Sequence, residues 1–211
     1  MRIEKIVIPI IFLLAAAGSL EAQAYDLGLL IGGNWASSNI SVAPGTPSSS
    51  ALDATAGIGI GAYSHWTLLP SLLSMDVDLL YVNNTQSGGT TSVGFHSIDI
   101  PLIFRYPGLP YFKPGLGFKY SAFVGSYNTT TAAQSTSTSF GNAVSSTQGI
   151  GSSNISFVVS MGGRYGLSHG YVLVGQLDFD FGFSDLNNPS IANASNKLNN
   201  VMLLVGVSRE F

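Results

Sequence analysis

The sequence contains no cysteine. Disulfides and thiolate metal sites are therefore excluded, an exported form could not be lipidated on a leading cysteine, and stability has to come from packing or from closure. Charge is nearly as scarce: 9% of the 211 residues are charged, where about a quarter is usual for a soluble domain. The net charge of −3 comes with no basic cluster, so the electrostatic footprint of a nucleic-acid-binding surface is missing. No His, Cys or carboxylate spacing suits a metal, and no cofactor is expected. The glycine-rich stretch "GIGIGAY" (57–63) is followed by no helix and so does not read as a phosphate loop. Long apolar runs are also lacking. Beyond residue 24 none approaches the ~20 residues that a spanning helix needs, although 45% of the chain is hydrophobic.

The one concentrated apolar stretch is at the start. Arg2 and Lys5 precede the run from Ile6 to Gly18, and Ala22-Gln23-Ala24 forms a small-x-small site. This is the pattern of a secretory signal peptide over residues 1–24, cleaved near Ala24 to leave a single domain over 25–211. The run is too short for a membrane anchor.

What is present instead is alternation. Eight segments, at about 25–37, 54–68, 72–84, 92–106, 110–125, 153–167, 170–184 and 197–211, switch between apolar and polar residues with period two. Each is long enough to span a bilayer as a tilted strand, for which about 9–11 residues suffice. The connections alternate as well. Polar stretches follow the first, third, fifth and seventh segments, whereas only "LPS", "PGLP" and "SHG" follow the second, fourth and sixth. Long loops at one end and tight turns at the other predict an all-β, up-and-down, eight-stranded antiparallel transmembrane barrel, with the short turns and both termini on the periplasmic side of a bacterial outer membrane. Ser168-His169-Gly170 reads as a three-residue hairpin turn with Gly at a left-handed position. The fourth segment departs from the rule, because Val93 and Phe95 fall out of phase with Ile98, Ile100, Leu102 and Phe104. That predicts a bulge near His96 or Ser97.

Parity assigns the faces. Tyr171, Leu173, Leu177, Phe179, Phe181 and Phe183 share one side of their segment, and Gln176, Asp178 and Asp180 the other. The apolar side is taken as the lipid side. Trp66, Tyr106, Phe112, Tyr165, Tyr171 and Phe211 then fall at the short-turn ends of outward faces, as a periplasmic aromatic girdle. Arg209 shares that outward face near the headgroups, where an exposed Arg costs only about 0–1 kcal/mol. Inward parity collects Asp26, Asp76, Asp78, Asp99, Asp178, Asp180 and Glu210 against Arg105, Lys113, Lys119 and Arg164. Charges confined in a cylinder this narrow have to pair, so they read as a structural lumen network, with a narrow proton or ion path as the alternative. His65 faces inward where Asp76 could reach it.

An N-terminal signal, eight such strands and a closing "NNVMLLVGVSREF" that ends on Phe211 resemble the small OmpA/OmpX-type outer membrane barrels over the whole mature chain. "SIDIPLIFRY" (97–106) also resembles the apolar-x-Ile-Pro-Leu strand of PorT-like outer membrane barrel domains. That second resemblance implies a part in a secretion or transport assembly. The partners expected are outer membrane lipids, the barrel assembly machinery through the C-terminal strand, and a protein partner through the long loops, chiefly Ser126 to Ser152. A lipid A-modifying enzyme would need a carboxylate beside an outward His such as His96, and outward parity supplies none. The reading is a non-enzymatic barrel with structural or partner-binding surface loops.

Overall fold

A computed structural model of the chain describes residues 25–41, 52–88, 91–109, 111–130, 135–139, 153–183 and 195–211. They form nine strands: β1 (Tyr25–Ser41), β2 (Leu52–Leu69), β3 (Leu73–Gly88), β4 (Thr91–Arg105), β5 (Lys113–Thr130), β6 (Ser135–Ser139), β7 (Ser153–Gly166), β8 (Tyr171–Gly182) and β9 (Ser195–Glu210). All but β6 build one antiparallel meander, and pairing of β4 with β5 and of β1 with β9 closes it into an eight-stranded barrel. Each alternating segment of the sequence is one barrel strand. β6 folds back on the long-loop end of β5, Ser126 to Thr130 pairing with Ser139 to Ser135.

The register sets the shape. Following paired residues round the wall from Asp26 through His65, Asp76, Ile103, Gly117, Val158, Asp180 and Asn200 leads back to β1 at Ala36. A stagger of that size over eight strands tilts them by about 40° and gives a radius of about 8 Å, so side chains alone can fill the interior. Curvature this tight is made with glycine. A Cβ at Gly32 would collide with the Leu203 carbonyl, and one at Gly206 with the Leu29 carbonyl, on opposite sides of the β1–β9 seam. On the inner wall the small residues are matched by large ones, since the space over Gly59 is filled by Val82, Met202 and Leu204.

The short turns follow the expectation at one end of the barrel. Leu167 N–H donates to the Tyr171 carbonyl at 2.7 Å, and Gly170 has φ +76°, as the hairpin requires. His169 also takes a left-handed conformation, with φ 63°. Tyr111, at φ 64°, turns the chain ahead of β5, which therefore starts at Lys113 rather than at 110.

One expectation is corrected and another narrowed. The stretch after the third segment is not a long loop: β3 and β4 pair as far as Gly88 and Thr91, because Thr, Asn and Gln can continue a ladder that no longer faces lipid. The irregularity expected near His96 is present, between Gly94 and His96, but only against β5; the pairing of β4 with β3 keeps one register throughout, so the faces of β4 are not flipped. Phe95 faces inward with Ser97 and Asp99 and packs edge-on against Phe123 at 5.3 Å. The break in phase was an apolar residue pointing into the lumen. Pro101, which has no N–H to donate, coincides with a gap in the β3–β4 ladder between Asp99 and Leu102, and the register resumes unchanged beyond it.

Gly32→Val or Gly206→Val is expected to lower the stability of the refolded barrel by about 1–3 kcal/mol through overpacking at the seam. Gly166→Ala, whose Cβ meets nothing within 4 Å, should leave it unchanged. Urea midpoints in detergent micelles, read by the heat-modifiable gel shift, give the comparison.

Candidate functional site

The interior is the one region where polar chemistry is concentrated among the described residues, and it is stacked in layers. At the long-loop end the layer is neutral. Asn34 Nδ2 donates to Asn84 Oδ1 at 2.7 Å, and Asn84 Nδ2 donates to Ser97 Oγ at 3.1 Å. Phe95 and Phe123 lie above them.

The next layer is centred on Lys119 of β5, which is 5% exposed. Its ammonium bonds Asp180 of β8 and lies 3.2 Å from Asp99 of β4. Beneath it, Gln176 Nε2 donates to Asp178 at 2.6 Å and reaches Asp78, on the opposite wall, at 3.4 Å. Asp178 also accepts the Ser160 hydroxyl.

The last layer lies at the short-turn end. Asp76 accepts from Arg105 Nε and stands 2.6 Å from His65 Nδ1, with the His65 ring stacked at 6.5 Å on Tyr63. Arg105 Nη1 donates to the Lys113 carbonyl at 3.1 Å. Arg164 of β7 crosses the lumen to Asp26 of β1, which also accepts from Ser208 at 3.2 Å.

Of the charges that parity placed inside, the structure brings together Asp76 with Arg105, Asp99 and Asp180 with Lys119, and Asp26 with Arg164. Asp78 and Asp178 meet through Gln176 rather than through a cation. Lys113 is half-buried and forms no ion pair among the described residues, while Glu210 is exposed at the rim.

Part of the interior is apolar. Leu30, Tyr63, Leu80, Val82, Val172, Val174, Met202 and Leu204 form a buried cluster inside the barrel, on β1, β2, β3, β8 and β9. Taking apolar residues as lipid-facing misses this cluster. Parity alone would have found Leu30 between Asp26 and Asn34.

On the outside the aromatic residues of the short-turn end are Trp66, Tyr106, Phe112, Tyr165, Tyr171 and Phe211, joined by Tyr25, which the sequence reading left out. Tyr25 stacks between Trp66 and Phe211, at 5.4 Å from each. Phe211 N–H donates to the Tyr25 carbonyl at 2.9 Å, and the Arg209 guanidinium sits 5.4 Å over the Phe211 ring. Above this band the wall is Leu29, Ile31, Ile58, Ile60, Leu79, Leu116 and Phe118, each at least half exposed.

A closed barrel with this apolar outside and this packed inside agrees with what the sequence profile of one family states. Residues 10–211 match the outer membrane protein beta-barrel domain. The chain belongs to that family. It is an outer membrane barrel. No curated protein sequence matches it.

Solved barrels of similar architecture include Ail, the attachment invasion locus protein of Yersinia pestis. It is 10% identical, with a TM-score of 0.45 and cover of 89% of this chain and 99% of that one. OprG of Pseudomonas aeruginosa is 12% identical, with a TM-score of 0.48 and cover of 89% and 95%. The outer membrane protease OmpT of Escherichia coli is 12% identical, with a TM-score of 0.46 and cover of 92% and 98%. None of the three assigns an activity to this chain.

Lys119→Ala leaves Asp99 and Asp180 buried without their cation and is expected to cost about 3–5 kcal/mol. Glu210→Gln at the exposed rim should change stability by less than about 0.5 kcal/mol. Urea unfolding in the same detergent distinguishes them, and equal midpoints would show that the Lys119 layer contributes nothing to the fold.

Proposed function

We propose that the protein is a non-enzymatic integral outer membrane barrel whose role is structural or partner-binding and is carried by its extracellular loops. The observation that supports this is the lumen. Gln176 and Arg164 bond across the lumen, Lys119 and Arg105 bond between nearby strands, and a largely apolar cluster packs beside them. Such an interior is a plug that stabilises the barrel, not a path through it. Most of the interior charges are bonded within the lumen, which leaves the rim as the region that can meet a protein partner.

The extracellular rim suits that role. β1, β3, β4 and β5 continue into polar sequence, and β6 adds a hairpin of Ser and Thr that pairs only with β5 among the described residues. A strand with one side unpaired offers backbone donors and acceptors to an extended partner segment. Most of the loop from Ser126 to Ser152, including residues 140–152, lies outside the described residues.

The enzymatic alternative has less support. His96 does face outward, stacked at 5.5 Å on Tyr81, but its Nδ1 has no hydrogen-bond partner among the described residues. No carboxylate orients the ring through that nitrogen. His65 and Asp76 form a pair, yet Arg105 takes the second oxygen of Asp76, and the arrangement reads as one layer of the plug. The secretion role implied by the PorT-like resemblance also lacks a dedicated surface. In Ser97 to Tyr106 the odd residues line the lumen and the even ones face lipid or the headgroups.

Residues 1–24 lie outside the described residues. Removal of a signal peptide near Ala24 would place the new N-terminus at Tyr25, the first residue of β1, within the periplasmic band. Recognition by the barrel assembly machinery would fall on β9, which carries Phe211.

Two measurements test the reading. Planar bilayers containing the purified barrel are expected to show no porin-like steps, and large stable channels would refute the plug. Replacing Thr129 to Gly149 by a short Gly-Ser turn should preserve insertion and heat modifiability while abolishing adhesion or partner capture by cells that display the barrel. A loopless variant that behaves like the parent in those assays would return the site to the wall.

A further inference from the structure

The periplasmic mouth of the lumen holds more cationic groups than it holds bonded carboxylates. Arg105, Lys113 and Arg164 converge there on a cavity of about 10 Å³, whose lining also includes Tyr63, Asp76 and Gln176. A space of that size admits one small species.

The donors are not exhausted by their protein partners. Arg105, 2% exposed, uses Nε on Asp76 and Nη1 on the Lys113 carbonyl, but its Nη2 has no partner, and neither has Nε of Arg164. The ammonium of Lys113 makes no ion pair among the described residues. Two carboxylates answer these three cations directly. Both oxygens of Asp76 are taken, by His65 and Arg105, and Asp26 is held by Arg164 and Ser208. Glu210 is exposed at the rim.

The backbone makes room for this. A Cβ on Gly162 would stand 2.7 Å from Nη1 of Arg105 and 2.8 Å from its Cζ, so the guanidinium lies flat against a position that only glycine leaves open. Gly163 and Gly175, paired across β7 and β8, complete that side of the lining with backbone alone.

We propose that this pocket binds a single small inorganic anion of halide size, with Arg105 Nη2, Arg164 Nε and the Lys113 ammonium as its donors. A water is the competing occupant, and Gln176 Oε1, an acceptor without a donor, is the lining group that favours it. Charge decides between them: unpaired N–H groups on the buried Arg105 and the partly buried Arg164 gain more from an anion than from a neutral acceptor. The site is independent of what the extracellular loops bind, so its failure would leave the loop reading intact.

The test uses the full mature barrel refolded in a zwitterionic detergent, with urea midpoints measured against sodium chloride and against sodium gluconate at equal ionic strength. Chloride should raise the midpoint with saturation, and gluconate, too large for the cavity, should not. Lys113→Gln should weaken the apparent chloride affinity about tenfold in the otherwise folded barrel, and Gly162→Ala, which displaces Arg105, should weaken it at least as much. Crystals soaked in bromide should show one anomalous peak between Arg105 and Arg164. Identical midpoints in the two salts, or bromide-soaked crystals with no peak there, would mean that the pocket holds water only and would overturn the proposal. The bromide measurement decides the matter even if a variant fails to refold.

Discussion

A strand in lipid has nowhere to send its backbone hydrogen bonds except to another strand. Each unpaired N–H or C=O in the hydrocarbon costs several kcal/mol, so a sheet that crosses the membrane must have no open edge there. The pairing of β1 with β9, continuous from Asp26 with Glu210 to Ser41 with Ser195, is that requirement met. Much else in the molecule follows from it. Closing eight strands with the observed stagger brings the β1 and β9 backbones together so closely that Gly32 and Gly206 leave no room for a methyl group. The same closure fixes an interior too narrow for a channel but too wide to be left empty.

What fills that interior is divided between two kinds of chemistry, and the division has a physical logic. The apolar side chains, such as Val82, Met202 and Leu204 over Gly59, fit large against small and need no partners. The polar ones, spread over all the barrel strands, must find partners, because a buried ion without one costs several kcal/mol. Most do so between neighbouring strands, and two bonds cross the lumen. Arg164 reaches Asp26 past β8 and β9, and Gln176 reaches Asp78 on the far side. Bonds of this kind act as spokes. They oppose flattening of the cylinder, which the circumferential ladder resists only weakly.

The strands, their order and the polarity of the two faces were legible in the sequence because each rests on local information: period-two alternation, turn length, and parity. His65 with Asp76 was legible for the same reason, since the two face each other on adjacent strands across a short turn. The cross-lumen partners were not, because Arg164 meets Asp26 only at one particular stagger, and nothing in either segment encodes the stagger alone. Boundaries failed where composition misled. Asn83 to Gly88 and Ser135 to Ser139 look like loop by residue type, yet they pair as strand once the ladder beneath them has been set. Phe95, Leu30 and Met202 were misread or passed over because hydrophobicity was equated with lipid contact. A small barrel has two apolar environments, and only parity tells them apart.

The two ends of the barrel then differ in what they leave uncommitted. At the short-turn end the side chains are doubly constrained, outside by the stack of Trp66, Tyr25 and Phe211 and inside by the bonds of Asp76 and Asp26. At the long-loop end, Ser126 to Thr130 pair with Ser139 to Ser135 through a backbone ladder. Change is therefore most costly at Lys119, where a buried ion pair would lose its cation, and at the glycine seam, where an added methyl group meets backbone.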